Sequence, residues 1–484
     1  MSEAGGVTTG SDSSGTAPTR AQAAPRPSIP PTLVDPVARG ASEVLGGPAG
    51  RRLAGDGPWW ARALPVSVLL TAVAMALGAV SKHHCRAQGW NTPDQFVHAC
   101  YSDGPVVFTS SGLADGLGPY SDGVSLGQPP LTAAVAWLIG RLSPQAVTVA
   151  AQQTYFDVMT VVLLLAALVT VVAVVLTAGR RRGWDGLLLA AAPLLVLSGL
   201  VSLDLLGVAL AAAGLACWAR RRPVAAGVLL GLAVAARTYP VLILLAVVLL
   251  AVRTGRWRAT VTAVLAAAVA WLAVDLPPAL SSTGAWAAYL TAFPGQPAGY
   301  GSPWLLPQLV QQAVGAGDTA GLPTGVVTAL TVAGWVVWTL LVVLLVLWAP
   351  RRPRLPQVAF LLVAGACLLG TSFPVQASLW LLPLAVLAVP RWRDHLVWWV
   401  CEALYFGAVW LFIVGQSTQD RGLPPELYGV LLVVRLAGVA WLVVAVVRDV
   451  RSPGRDVVRR SRGVDDPAGG DFDRAPDALV VRVA

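Results

Sequence analysis

The sequence predicts an all-α protein that threads a membrane many times, and three observations lead there. Apolar residues make up 56% of the 484-residue chain and charged residues only 12%, with a mean hydropathy of +0.67; soluble domains carry about 25% charged residues. The apolar residues are gathered into runs of the length a helix needs to cross about 30 Å of hydrocarbon. Arginines cluster at alternate ends of those runs, as short loops on one membrane face require.

Twelve runs lie near 62–80, 154–178, 184–202, 204–219, 224–236, 239–252, 259–276, 324–349, 356–372, 377–390, 395–415 and 428–447, and the fifth and sixth are short. Arg51, Arg52 and Arg62 precede the first run, and Arg180, Arg181 and Arg182 follow the second. Arg220 to Arg222 follow the fourth, Arg253, Arg256 and Arg258 the sixth, Arg351, Arg352 and Arg354 the eighth, and Arg391 and Arg393 the tenth. A further basic stretch starts at Arg448. The boundaries between these carry far less positive charge, so both termini are expected in the cytoplasm of a multi-pass plasma-membrane protein, with the larger loops outside. Counting 129–141 as a span would break the alternation, and that stretch reads as an amphipathic helix at the outer interface. The net charge of +9, nearly all arginine, follows loop topology and lipid contact; no basic face exists to display to nucleic acid.

The chain divides into a tail at 1–56, a membrane domain at 57–448 and a second tail at 449–484. The first tail is rich in Ala, Pro, Ser, Gly and Thr, a composition expected to stay disordered. It shows no short apolar stretch followed by a cleavage site, so the first span should remain as an anchor. The second tail, in which Arg459, Arg460 and Arg462 precede Asp465, Asp466 and Asp471, is expected to be flexible and cytoplasmic.

The most informative segment is the polar insert at 82–153, far longer than an ordinary helix connection. It holds Asp94, Asp103, Asp115 and Asp122, with His83, His84, His98, Cys85 and Cys100. Gly104-Pro105 after Asp103 and the turn around Asp122 fix the backbone, and a carboxylate held at a membrane surface can take a proton from a sugar or lipid hydroxyl. Against this stands the bland reading of a loop aspartate that only caps a turn. Cys85 and Cys100, placed in an oxidising compartment, favour a disulfide. A metal set from His83, His84, Cys85, His98 and Cys100 lacks the regular spacing of zinc motifs. No metal ligands or cofactor are assigned, and a divalent-cation requirement stays open.

Arg237 ends a short run ahead of Thr238-Tyr239-Pro240, against the charge trend, where two broken helices could meet. An ionisable group at that depth pairs with something. Two partners compete: a phosphate oxygen pair, which the planar fork suits, and Asp204 at the neighbouring boundary. Glu402 and Arg435, deep in the last two runs, are expected to pair with each other. Trp286, Tyr289, Tyr300 and Trp304 serve as interfacial anchors or as a platform for a sugar ring. Phosphate-loop, dinucleotide-fold and HExxH signatures are missing, which argues against nucleotide-driven chemistry.

Several segments in order resemble one family: Cys85 to Asp103 (C…W…HACYSD), GLADGLGPY ending at Tyr120, Leu203-Asp204-Leu205-Leu206, AAGVLLGLAVAARTYP ending at Pro240, GSPW ending at Trp304 and SLWLLPL from Ser378. Together they resemble the GT-C type membrane glycosyltransferases, particularly actinobacterial members of glycosyltransferase family 87, across roughly 80–445. The resemblance implies a GT-C-like fold with interfacial helices in the first outer loop, and a polyprenyl-phosphate sugar donor. It implies a hexose, mannose first, passed with inversion to an envelope lipid or glycan acceptor. Asp103 takes the place of the catalytic base, and Arg237 faces the donor phosphate. Candidate substrate contacts are Arg237, Tyr239, Asp204, Asp122, Tyr120, His98, Trp304 and Gln376. The chain departs from the family pattern at Gln128, where relatives commonly carry an acid, at Gly104, and in the order of 373–377. Two rivals need no base: a transporter or flippase of a lipid-linked saccharide, and an inactive relative acting as a partner subunit. Enzyme is favoured because no matching halves are visible.

Overall fold

Backbone groups in hydrocarbon find no water, so apolar runs must satisfy their hydrogen bonds internally as helices. The computed structural model describes residues 60–121, 124, 126–179, 182–291, 293–315, 320–418, 421–460 and 464–480, and among them holds nineteen α-helices and no β-strand. The 1–56 tail, Asp122, Arg180, Arg181 and Arg462 lie outside the described residues, as does the side chain of Tyr289.

Six helices are long and apolar enough to cross a membrane: α1 (Trp60–Ser81), α6 (Val149–Ala178), α12 (Trp257–Ser281), α15 (Thr324–Trp348), α18 (Trp392–Ser417) and α19 (Pro425–Arg451). Five of the twelve expected runs are shorter apolar helices: α9 (Asp204–Ala219), α10 (Pro223–Ala236), α11 (Val241–Thr254), α16 (Leu355–Leu368) and α17 (Ser378–Ala388). The run at 184–202 is not one helix. A 3-10 turn at Gly183–Gly186 leads into α7 (Leu187–Ala190), and Pro193, which donates no hydrogen bond, starts a separate α8 (Pro193–Ser198).

Helices α12 and α15 expose Leu and Val along much of their length, a surface suited to acyl chains. Helix α16, buried on nearly every side, forms the centre. Between α10 and α12 the backbones nearly touch. A Cβ at Gly227 or Gly231 would lie 2.2 Å from the carbonyl oxygen of Ala263 or Ala267 respectively, so only glycine fits there.

The insert folds over one end of this bundle. It forms α2 (His83–Gln88), α3 (Asp94–Val97), α4 (Asp103–Ser110) and α5 (Pro130–Arg141). Cys85 and Cys100 are disulfide-bonded, with Cα atoms 5.8 Å apart. Arg86 donates to both carboxylate oxygens of Asp157 on α6, at 2.8 and 2.6 Å. Phe96 and Tyr101 pack on Trp410 of α18. The stretch expected as an interfacial helix is α5, and Thr132 donates to the Ala236 carbonyl at 2.6 Å, docking it beside the α10 terminus.

The described residues beyond Asp449, 450–460 and 464–480, depart from the flexible tail expected there. Helix α19 continues to Arg451, and the chain then straps across the arginine-rich loops. Asp456 is buried against Arg354 at 2.7 Å. Asp465 accepts from Arg351 at 2.7 Å and also pairs with Arg352 and Arg459. Asp466 accepts from the Leu355 N–H, Gly469 from the Trp218 indole at 2.9 Å, and Asp477 from Arg253 at 2.8 Å. Arg253, Arg351, Arg352 and Arg354 thus find carboxylates in the C-terminal segment, while Arg182 and Arg391 pair with Asp185 and Asp394 beside them.

Candidate active site

Asp103, Asp204 and Arg237 converge where three chain segments meet. Asp103 opens α4, and its N–H donates to the Val201 carbonyl at 2.6 Å, while the Ser102 hydroxyl donates to Leu200 at 2.8 Å. These bonds sew the insert to the loop that starts α9. Three residues further on, Asp204 is the first residue of α9. Arg237 caps α10 in an extended conformation that breaks the helix before Tyr239 and Pro240. Its stem passes over Gly207 of α9, where a Cβ would come within 3.2 Å of the arginine side chain.

Of the two partners expected for Arg237, a phosphate and Asp204, the folded chain itself supplies the second. Asp204 forms a direct ion pair with the guanidinium. Gln128, which the sequence alone did not offer as a partner, also accepts from Nη1 at 2.6 Å. The arginine Nε–H is buried without a hydrogen-bond partner among the described residues. Asp204 is itself held on both oxygens, by the Ser202 hydroxyl at 2.7 Å and the Trp380 indole N–H at 2.6 Å. The Trp380 ring stacks on Tyr239 with centroids 5.0 Å apart.

Asp103 remains partly accessible. Desolvation by the surrounding protein and, less strongly, the Asp204 carboxylate push its pKa up to about 6, against the lowering effects of the Tyr101 hydroxyl, Arg237 and Lys82. Lys82, fully buried at the start of the insert, is lowered to about 7 by desolvation, with Asp103 opposing. Its Nζ donates to the Ala99 carbonyl at 3.3 Å. A carboxylate poised near neutrality beside a guanidinium with a spare donor can accept a proton while an anion is held.

Trp380 and Tyr239 also line a cavity of about 380 Å³ between α11, α15, α16 and α17. Its walls are mostly apolar, from Leu242, Trp335, Trp338 and Leu362. The indole therefore joins an apolar chamber to a buried carboxylate. The family model of glycosyltransferase family 87 matches residues 128–372, just over half of the sequence, and the match includes Asp204, Arg237, Tyr239 and most of the chamber wall. The chain belongs to glycosyltransferase family 87. No curated protein matches it. This family 87 member is a multi-pass membrane glycosyltransferase.

The other candidate residues divide differently. Tyr120 lies by α12, where its carbonyl accepts from the Ser282 hydroxyl, and burial, with a smaller push from the Asp275 carboxylate, raises its hydroxyl pKa to about 12. Trp304 donates its indole N–H to the Leu369 carbonyl at 3.1 Å, and Gln376 sits in the 3-10 turn at Val375–Ala377, so both border the turn beside the chamber. Arg435 holds that turn through the carbonyls of Phe373 and Pro374 and pairs with Glu402 at 3.0 Å. Trp286 bonds Asp275, while Tyr300 packs edge-on to Phe412. His98 stands outside the carboxylate–guanidinium cluster, facing Asp94.

Residues missed from the sequence are Lys82, Tyr101, Ser202 and Trp380, and Gln128 as a partner of Arg237. Lys82 carried a signal: it is the chain's single lysine, at the junction of the first span and the insert. Trp380 lay in a segment that resembles the family, but its bond to Asp204 spans 176 residues and has no local mark.

Proposed function

We propose that this family 87 member transfers a hexose, mannose in the first instance, from a polyprenyl-phosphate donor to an envelope lipid or glycan on the outer face of the plasma membrane. What carries this reading is the shared electrostatic neighbourhood of Asp103 and Arg237, in which the guanidinium keeps a spare Nε–H. The acceptor hydroxyl attacks the anomeric carbon and hands its proton to Asp103 as the new C–O bond forms. The bond to the phosphate oxygen breaks with its electron pair, leaving polyprenyl phosphate, and the configuration inverts. Arg237 and Lys82 offset the charge that develops on the departing phosphate. The apolar chamber behind Tyr239 and Trp380 suits an isoprenoid chain. Nothing in this chemistry requires a nucleotide or a redox cofactor.

Membranes carrying the wild type and given radiolabelled polyprenyl-phosphate-mannose should form a new glycoconjugate, and Asp103→Asn should lower its rate by about 10²–10⁴-fold while donor binding persists. Equal product from both proteins would overturn the reading. A transporter would instead move the labelled lipid across the membrane equally well in both, with no product.

A further inference from the structure

The insert carries a second cluster of chemically active side chains. His84 lies on α2, and Asp94 and His98 bracket α3, four residues apart on one face of a single turn. The His84 Nε2 is 2.6 Å from Asp94 Oδ2, and the His98 Nε2 is 3.4 Å from Asp94 Oδ1. The two imidazole rings stack with centroids 3.6 Å apart, and both present Nε2 to the one carboxylate. One donor atom from each residue lies within 4.8 Å of the others.

We propose that His84, Asp94 and His98 form a binding site for a divalent transition cation of the zinc class. Two imidazoles and one carboxylate make a borderline donor set that suits zinc and its neighbours and not the all-oxygen shells of calcium or magnesium. Three protein ligands with a solvent-facing fourth position are a recurrent zinc arrangement, and these side chains are 37 to 44% exposed, so water can fill that position. The site is preorganised from the other side. The Cys85–Cys100 disulfide ties the same two short helices together, with Cys85 directly after His84 and Cys100 two residues after His98. That bond also removes both cysteines from any ligand set, so the candidate ligands differ from those the sequence offers at first sight. Between His98 and Cys100 lies Ala99, whose carbonyl receives the Lys82 ammonium. A cation on His98 would therefore stiffen the support of a charged group that faces Asp103. Its role is bracing, and the cation takes no part in sugar transfer.

The full chain, purified without a polyhistidine tag and stripped of metal, is titrated with Zn²⁺ against a chromophoric chelator. One equivalent should bind, and His84→Ala and His98→Ala should each weaken binding at least tenfold. His83→Ala removes a neighbouring exposed imidazole and should bind as the wild type does. Co²⁺ should give the visible bands of a low-coordinate site in the wild type and lose them in Asp94→Asn. Should a substitution impair folding, the wild type alone decides: Zn²⁺ should protect His84 and His98, but not His83, from an acylating imidazole reagent mapped by mass spectrometry. Absence of binding to the wild type, undiminished binding by the His84→Ala/His98→Ala double variant, or equal modification of His84 and His98 with and without Zn²⁺ overturns the proposal. None of these readouts depends on sugar transfer, so they stand or fall apart from the proposed activity.

Discussion

Asp103 and Lys82 each favour the other's charged form, and that fixes the sign of a pH effect. Burial raises the aspartate to about 6 and lowers the lysine to about 7, so a base that works when ionised gains activity as pH climbs through 6. We expect kcat/KM for transfer to rise with an apparent pKa near 6. The ammonium helps to hold the carboxylate in its charged form, so Lys82→Met should move that rising limb to higher pH, which a pH–rate series on both proteins measures. A limb that stays in place would show that the lysine does not couple to the base. At this scale the sequence was half legible. Asp204 and Arg237 stood out as charges at apolar boundaries, whereas Asp103 was one of four aspartates in the insert until the family resemblance singled it out. The Trp380 indole, the Ser202 hydroxyl and the Gln128 amide did not, because each acts on a charge distant in sequence or has an ordinary place in its own segment.

At the scale of elements, the insert owes its order to cross-links more than to helix propensity. Helices of six and four residues such as α2 and α3 are far below the length that holds alone in water. The disulfide closes a loop with a sequence separation of 15, and a closure of that size is worth about 3 kcal/mol. Replacing both Cys85 and Cys100 with serine should lower the unfolding midpoint in thermal scans, and reductant should lower the wild type to the same value while leaving the variant unmoved. The cysteine pair could be read from sequence because both lie in one polar loop. The broken run at 184–202 could not, since its apolar character is uniform and only Pro193 hints that one long helix is really two short ones.

For the molecule as a whole, the alternation of arginines was read correctly as a grouping and incompletely as chemistry. The loop holding Arg351, Arg352 and Arg354 is neutralised by the segment after α19, in which Asp456 and Asp465 reach back across about a hundred residues to Arg354 and Arg352. Removing one member of a buried pair leaves the other charge uncompensated and costs about 3–5 kcal/mol. Asp456→Ala should therefore destabilise the protein strongly in denaturing-detergent titrations. Arg86→Ala, which breaks the exposed pair with Asp157, should cost about 1 kcal/mol or less. Similar losses from the two substitutions would contradict the strap as a structural fastener. Flexibility was the wrong expectation for the described part of this segment, because its order comes from carboxylates meeting guanidiniums that only the folded bundle brings together.

The solitary lysine has one more consequence. With a single ε-amine in the sequence, lowered by burial to about 7 and so half neutral there, electrophiles that seek lysine side chains meet one address in this protein. A small ester or isothiocyanate able to reach that buried nitrogen would tag one atom beside the proposed base, turning an ordinary labelling reagent into a covalent plug.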